Sequence, residues 1–364
     1  MVFRADFFLL PPVRTQSKSG ADGKRTEMRR NNMYKLTPKE NLLRMFDGEI
    51  PEYLPSYDFW GWGTGLPFQT GEKSADGYPV DEFGIEYTTT DASMGGMMPV
   101  PGKILLEDIT KWRDVIKTPD LSGTDWERLA KEALKDKDVE HNPVIVHNAG
   151  YFMTLMNMMG FVNGLCAMQE EPEEVYALFD YLCEYYLERE RALIKYFHGD
   201  VYELADDTAA QNCPFISAEV YRELVKPFHK READMALNAG LKIGMHDCGK
   251  SECFIDDWLD IGVQMWEPAQ VSNDIQGIKK KYGRRLIIAG GWDNQGPISY
   301  PETPDEELRE ELIRYIDRMA PDGGFCYLAS VVGRDTDEHF KRKMKLIQDV
   351  YKEYGQDWYR NHGY

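Results

Sequence analysis

His246-Asp247-Cys248-Gly249 sets an imidazole and a thiol two residues apart at the end of the mostly apolar stretch Leu241–Met245. These are two borderline-soft ligands at a spacing that suits zinc. Alternate residues of a strand share a face, so Gly244, His246 and Cys248 point one way while Leu241, Ile243 and Met245 point the other. Gly249 then lets the backbone turn sharply. A metal at this pair would hold Cys248 as thiolate; without one, the pair is a strand-end histidine beside an ordinary buried cysteine.

Glu267 closes the run Val263–Trp266, the next strand along the chain, and precedes Pro268. Neighbouring parallel strands lie about 4.8 Å apart, so its carboxylate can converge on the same ion. A general base, or a partner for a nearby Lys or Arg, is the alternative. Polar residues close the other apolar runs too: Asp58, Trp60 and Trp62, His147-Asn148, Asp206-Asp207, Trp292-Asp293 and Ser330. If these ends form one rim, His246, Cys248 and Glu267 are its candidate metal ligands, and Asp206, Asp207 and His147 its candidate acid–base groups. Asp58, Trp60, Trp62, Asn148, Trp292 and Asp293 are then candidate substrate contacts. Each of these residues also fits a cap or a turn. Cys213, Cys253 and Cys326 lie at no spacing that completes a fourth ligand.

The elements that would position this rim are well punctuated. Thr37-Pro38-Lys39-Glu40 is a capping box with proline in the first turn, followed by Leu42, Leu43 and Phe46 at helical spacing. Thr124 with Glu127, and Thr303-Pro304 with Glu306, predict two more helix starts, and Pro172 to Phe197 reads as one long amphipathic helix. Short apolar or β-branched runs alternate with the helices: Leu54–Tyr57, Pro143–His147, Val201–Ala205, Leu241–His246, Val263–Glu267, Leu286–Ala289 and Phe325–Ser330. Helices predicted near Ala218–Asn238, Glu252–Ile261, Asp274–Tyr282 and Thr303–Met319 fill the gaps after Val201. Regular alternation, with no glycine-rich phosphate fingerprint after the first strand, predicts an α/β chain folded as a (β/α)8 TIM barrel. Residues 60–118, rich in Gly, Pro, Met and aromatics, hold the eighth strand or an insertion and read as a long loop over the barrel mouth.

Bulk properties narrow the function further. The chain has 364 residues and a formal charge of -19. Residues 1–32 carry seven Lys and Arg against three Asp and Glu, leaving 36 basic and 59 acidic residues in the remainder. So acidic a body repels nucleic acid and anionic membranes. Six scattered cysteines among 17 methionines are not a disulfide framework, and a reducing cytoplasm fits them. The short apolar run Phe7–Leu10 is followed by two prolines and reads as neither signal peptide nor membrane span. We therefore expect a disordered extension over 1–32 and one domain over 33–364.

The chain resembles the uroporphyrinogen decarboxylase superfamily, and more closely its corrinoid-dependent methyltransferase branch. The resemblance runs from about Tyr34 to Tyr354. It is carried by Leu36-Thr37-Pro38-Lys39-Glu40 through Asp47-Gly48-Glu49-Ile50-Pro51, by Ala205-Asp206-Asp207, Ser217-Ala218-Glu219 and Lys226-Pro227, and by His246-Asp247-Cys248-Gly249 through Gly290-Gly291. It implies a (β/α)8 barrel, and a zinc site in which a glutamate closing the next strand, here Glu267, joins the H-x-C pair. Two departures stand out. The branch usually adds a second cysteine after the final strand, where this chain has Ser330-Val331-Val332. Uroporphyrinogen decarboxylases hold propionates with an arginine-rich segment after the first strand, where this chain has Tyr57-Asp58-Phe59-Trp60-Gly61-Trp62. Aromatic side chains do not neutralise a polycarboxylated tetrapyrrole.

The resemblance implies methyl transfer between a small molecule and methylcobalamin or a related corrinoid. The corrinoid would come from a separate protein, since the chain has no cobalamin-binding module of its own. The small molecule would be a thiol, a tetrahydrofolate-like acceptor or a methylated donor. Two rival readings are a metal-free decarboxylase or lyase using Asp206, Asp207 and His147, and a binding protein that keeps the barrel without turnover. The sequence leaves open the direction of transfer and the pairing of two copies as a homodimer.

Overall fold

A computed structural model of the protein describes residues 34–57, 62–63, 69–90, 96–147, 150–334 and 336–364, with backbone alone at 62–63 and 69–71. The expected extension over 1–32, and Asp58, Trp60 and Asn148, lie outside the described residues. The first predicted helix forms over Pro38–Phe46. The Thr37 hydroxyl accepts from the Glu40 amide at 3.2 Å, and the Glu40 carboxylate accepts from the Thr37 amide at 2.8 Å. Two other predicted starts are corrected. Asp125, not Thr124, caps the helix Trp126–Leu134 by accepting from the Arg128 amide at 3.0 Å, a carboxylate being the better acceptor at the positive end of a helix. The Thr303 hydroxyl donates to the Pro297 carbonyl at 2.7 Å, and the helix Asp305–Met319 begins beyond Pro304.

The described residues form two compact units. The first comprises Trp62–Lys137 and Val144–Gln264. It holds β1 (Trp62–Gly63), β2 (Gln69–Lys73), β3 (Pro79–Asp81), β4 (Tyr87–Thr89), β5 (Met97–Pro99), β6 (Val144–His147), β7 (Val201–Asp206) and β8 (Lys242–Asp247). β1, β6, β7 and β8 lie side by side in that order, all parallel. β7 is buried along its whole length, as a parallel strand covered on both faces must be. Residues 60–118 therefore yield both expected outcomes: β1 is a short additional parallel strand, and β2–β3 and β4–β5 are antiparallel hairpins in place of a plain loop.

Charged groups anchor the surrounding layers. Arg189, on the helix Pro172–Phe197, pairs with Glu82 at 2.8 Å and Glu190 at 2.9 Å, and its guanidinium lies over the rings of Tyr185 and Tyr186. This sealed cluster ties the segment after β3 to that helix. Glu232, buried on the helix Lys226–Asn238, accepts from Tyr202 of β7 at 2.8 Å and from Tyr151. The helix is thereby fixed against one face of β7.

The second unit comprises 34–57, Asp138–Pro143 and Met265–Tyr364. It contains most of β9 (Val263–Ala269), then β10 (Ile287–Gly290) and β11 (Phe325–Cys326), three adjacent parallel strands. The run Leu54–Tyr57, predicted as a strand, makes one parallel bridge between Ser56 and Tyr327. The Tyr57 amide donates to the Tyr327 carbonyl at 2.9 Å, and the Tyr327 amide to the Pro55 carbonyl at 2.8 Å. Parallel strands alternating with helices through both units make this an α/β protein of the (β/α)8 TIM-barrel class. Among the described residues no helix is long and apolar enough to cross a membrane.

Gly249 carries the chain out of β8 with φ +87°, and a Cβ there would lie 2.3 Å from the Ala209 carbonyl oxygen and 2.7 Å from that of Ala210. Both contacts are to backbone, which cannot swing aside. Gly249→Ala is expected to destabilise the fold by about 2 kcal/mol or more. Urea unfolding measures this, and a variant with the parent midpoint would show that the 209–210 loop yields.

Candidate metal centre

The register of β6, β7 and β8 decides which side chains can meet. His147 pairs with Glu203, Glu203 with Gly244, and Ala205 with His246. Residues in register on parallel strands share a face, so His147, Glu203 and His246 stand on one face of the sheet. Tyr202, Leu204 and Asp206 stand on the other, towards the helix that carries Glu232.

The Asp206-Asp207 pair is split by this alternation. Asp206 is fully buried, and its two oxygens accept from the amides of Phe152 at 3.1 Å and Met153 at 2.9 Å, in the first turn of the helix Tyr151–Met159. It is a helix cap, and His229 Nε2 lies 3.4 Å from it. Gly150 fits beneath because a Cβ there would come 2.3 Å from the Asp206 carboxylate. Asp207 turns the opposite way. Its Oδ1 accepts from the Cys248 amide at 2.8 Å and lies 3.9 Å from His246 Nε2. His246 Nε2 is in turn 3.9 Å from Cys248 Sγ.

Asp207, His246 and Cys248 each bring a ligand atom within 4.8 Å of the other two. In a tetrahedral zinc site, bonds of about 2.0 Å to nitrogen and 2.3 Å to sulfur put those atoms about 3.5 Å apart. The donor types suit a divalent cation, which would draw the three atoms closer together. Asp207 and Cys248 are buried and His246 is half-buried. Burial pushes the Asp207 carboxyl up to about 6, against the pull of His246 and of the Cys248 amide. A carboxylate sunk beside a thiol is costly to ionise without a positive charge to neutralise it.

Asp247, which the sequence reading left without a role, holds this arrangement from behind. Its oxygens accept from the hydroxyls of Ser251 and Thr208, each at 2.7 Å, and Thr208 also donates its amide at 3.3 Å. Burial, with Asp207 nearby, holds its carboxyl well above the usual range. Glu203 was also missed. It is buried inside β7 and pairs with His147 Nδ1 at 2.5 Å. The strand alternation that separates Asp206 from Asp207 also puts Glu203 on the site's face, and this was the available signal.

The remaining sequence candidates fall on other elements. Trp62 is on β1, with its backbone alone described. Glu267, Trp292 and Asp293 belong to the second unit. Glu267 is buried on β9. Trp292 donates its indole N–H to the Ser330 carbonyl at 2.8 Å and packs edge-on to Tyr315, which makes it part of that unit's interior. Asp293 caps a turn by accepting from the Gly296 amide at 2.7 Å. The cysteines 213 and 253 are exposed, and Cys326 is buried.

A family model described as uroporphyrinogen decarboxylase (URO-D) matches residues 89–329. The chain belongs to the uroporphyrinogen decarboxylase family. Among solved structures it is similar to a methyltransferase from Methanosarcina mazei, at 14% identity and a TM-score of 0.60 over 87% of this chain and 100% of that one. This likeness supports the barrel-class fold. A 3-keto-D-glucoside 4-epimerase from E. coli aligns at 12% identity over 69% of this chain and 97% of that one, with a TM-score of 0.34, too loose an overlap to bear on the fold. No curated protein matches the chain by sequence.

Cys248→Ala and Asp207→Asn are each expected to lower zinc affinity by at least tenfold, measured by chelator competition. Occupancy should also rise with pH. Protons compete for an imidazole of ordinary pKa about 6.5 and a thiol of about 8.5, so zinc should leave progressively below about pH 6. Affinity indifferent to both substitutions would remove the site.

Proposed function

We propose that this family member is a methyltransferase that moves a methyl group between a small molecule and a corrinoid carried by a separate protein, at a zinc ion bound by Asp207, His246 and Cys248. The observation that carries the reading is the convergence of those three side chains at the ends of two adjacent parallel strands. Family membership supports it, as does the likeness to a structure named as a methyltransferase. When bound, zinc supplies an open, Lewis-acidic position at which a thiol or other heteroatom is kept deprotonated near neutral pH. The chain's own residues do the rest. The Cys248 amide fixes the orientation of the Asp207 carboxylate, and the hydroxyls on Asp247 hold the loops that carry both. His147, on the same sheet face, is placed to exchange a proton with the ligand.

The metal-free lyase reading is weakened by one specific observation. Asp206, one of its three polar catalysts, has both oxygens engaged by the Phe152 and Met153 amides. The test combines metal analysis of the purified protein with methyl-transfer assays using methylcobalamin and a panel of thiols. The expected result is about one zinc per chain and methylation of at least one thiol, reduced a hundredfold or more in Cys248→Ala. A metal-free protein that decarboxylates small acids would establish the lyase. Zinc-loaded protein that binds methylcobalamin without turnover in any mixture would establish a binding protein.

A further inference from the structure

Two of the buried ion-pair systems among the described residues differ in character. In the Arg189 cluster every partner is enclosed: side-chain exposure is 6% for Arg189, 11% for Glu82 and 0% for Glu190. The pair in the sheet is closed at one end only. Glu203 is 1% exposed, whereas His147 is 26% exposed and lies at the carboxyl end of β6. A pair kept for stability alone gains nothing over packed apolar residues of the same volume. A partly exposed imidazole braced by a buried carboxylate is arranged for proton exchange.

We propose that Glu203 is a positioning residue that acts through His147. It holds a proton on Nδ1, fixes the ring's tautomer and orientation, and makes Nε2 the atom at which a proton passes to or from the bound small molecule. The Nδ1 nitrogen faces Glu203 at 2.5 Å, so Nε2 is the nitrogen on the far side of the ring. Register puts this pair one step below Ala205 and His246 on the same face, beneath the three metal-binding side chains. In the step itself, the Nε2–H bond of the imidazolium breaks as the ligand's heteroatom gains that proton, and the ring becomes neutral with Nδ1–H retained. The reverse transfer returns the proton to Nε2. Stabilising the cationic ring by a fixed carboxylate makes Nε2 the stronger base, and it prevents the ring from turning over to present Nδ1.

The role in turnover rests on the methyl-transfer reading, but the tautomer does not, and the test separates them. The full-length protein, labelled with 15N-histidine, is compared with His147→Gln to assign the His147 ring. The neutral ring of the wild type is expected to show a protonated Nδ1 and an unprotonated Nε2. In Glu203→Met this pattern should be lost, and Glu203→Gln, which keeps an acceptor without the charge, should restore it. Under the assay above, Glu203→Met should lose tenfold or more in kcat with KM and zinc content within twofold of the parent, and Glu203→Gln should recover part of the loss. An Nε2-protonated ring in the wild type overturns the proposal with no substitution needed. Unchanged kcat in a Glu203→Met variant that has lost the tautomer overturns the role in turnover. If the protein transfers no methyl group at all, the functional reading fails while the tautomer measurement still decides the role of Glu203 in orienting the ring.

Discussion

The parallel pairing of β7 with β8 is the constraint on which the site depends. Its last register pair is Asp206 opposite Asp247, and both aspartates point to the same side. Asp206 is held by two amides of the helix Tyr151–Met159, and Asp247 by the hydroxyls of Thr208 and Ser251. Because successive residues alternate, anchoring this pair on one side turns the following residues, Asp207 and Cys248, to the other. The Cys248 amide then joins them directly through Asp207 Oδ1. Two structural carboxylates thus aim two candidate ligands, and His246 completes the group from within β8.

Burying four acidic side chains within a few residues of one another is unfavourable unless each finds donors or positive charge. Asp206 and Asp247 find backbone amides and hydroxyls, and Glu203 finds an imidazole. Asp207 finds the amide and thiol of Cys248, with His246 Nε2 3.9 Å away. It is the carboxylate that stands beside both His246 and Cys248. Among these four, Asp207 is the carboxylate whose neighbours are themselves ligand-type side chains, which is why it is the one proposed to meet a cation.

Much of this was legible in the sequence. The seven runs and the helices between them are set by apolar periodicity and by caps such as Thr37 with Glu40, which are local properties. The short strand Trp62–Gly63 was not legible, because two residues among Gly and aromatics carry no periodicity. The H-x-C pair was readable because both ligands lie on one strand. Asp207 was not read as a partner of that pair, since sequence spacing does not say which carboxylate reaches His246 and Cys248, whereas the fold brings Asp207 Oδ1 within 3.9 Å of His246 Nε2. Glu203 was hidden by its setting: inside the run Val201–Ala205 it reads as one polar residue in an apolar strand, and only the register with His147 gives it a partner.

The identity of that carboxylate bears on chemistry. The resemblance to zinc methyltransferases implies a second thiolate after the final strand, and this chain has none there. On the proposed reading Asp207 would supply a carboxylate where that thiolate is missing, so one imidazole, one thiolate and one carboxylate would balance the two charges of zinc. The difference lies in softness. A carboxylate oxygen gives the metal less electron density than sulfur does, and it leaves zinc the harder acid. If zinc is held there by Asp207, His246 and Cys248, it would lower the pKa of an entering thiol or other heteroatom further and leave a bound sulfur less nucleophilic. On that reading, replacing sulfur by oxygen would favour activation of a poorly acidic or oxygen-bearing ligand, the circumstance in which the proton exchange proposed for His147 would be most useful.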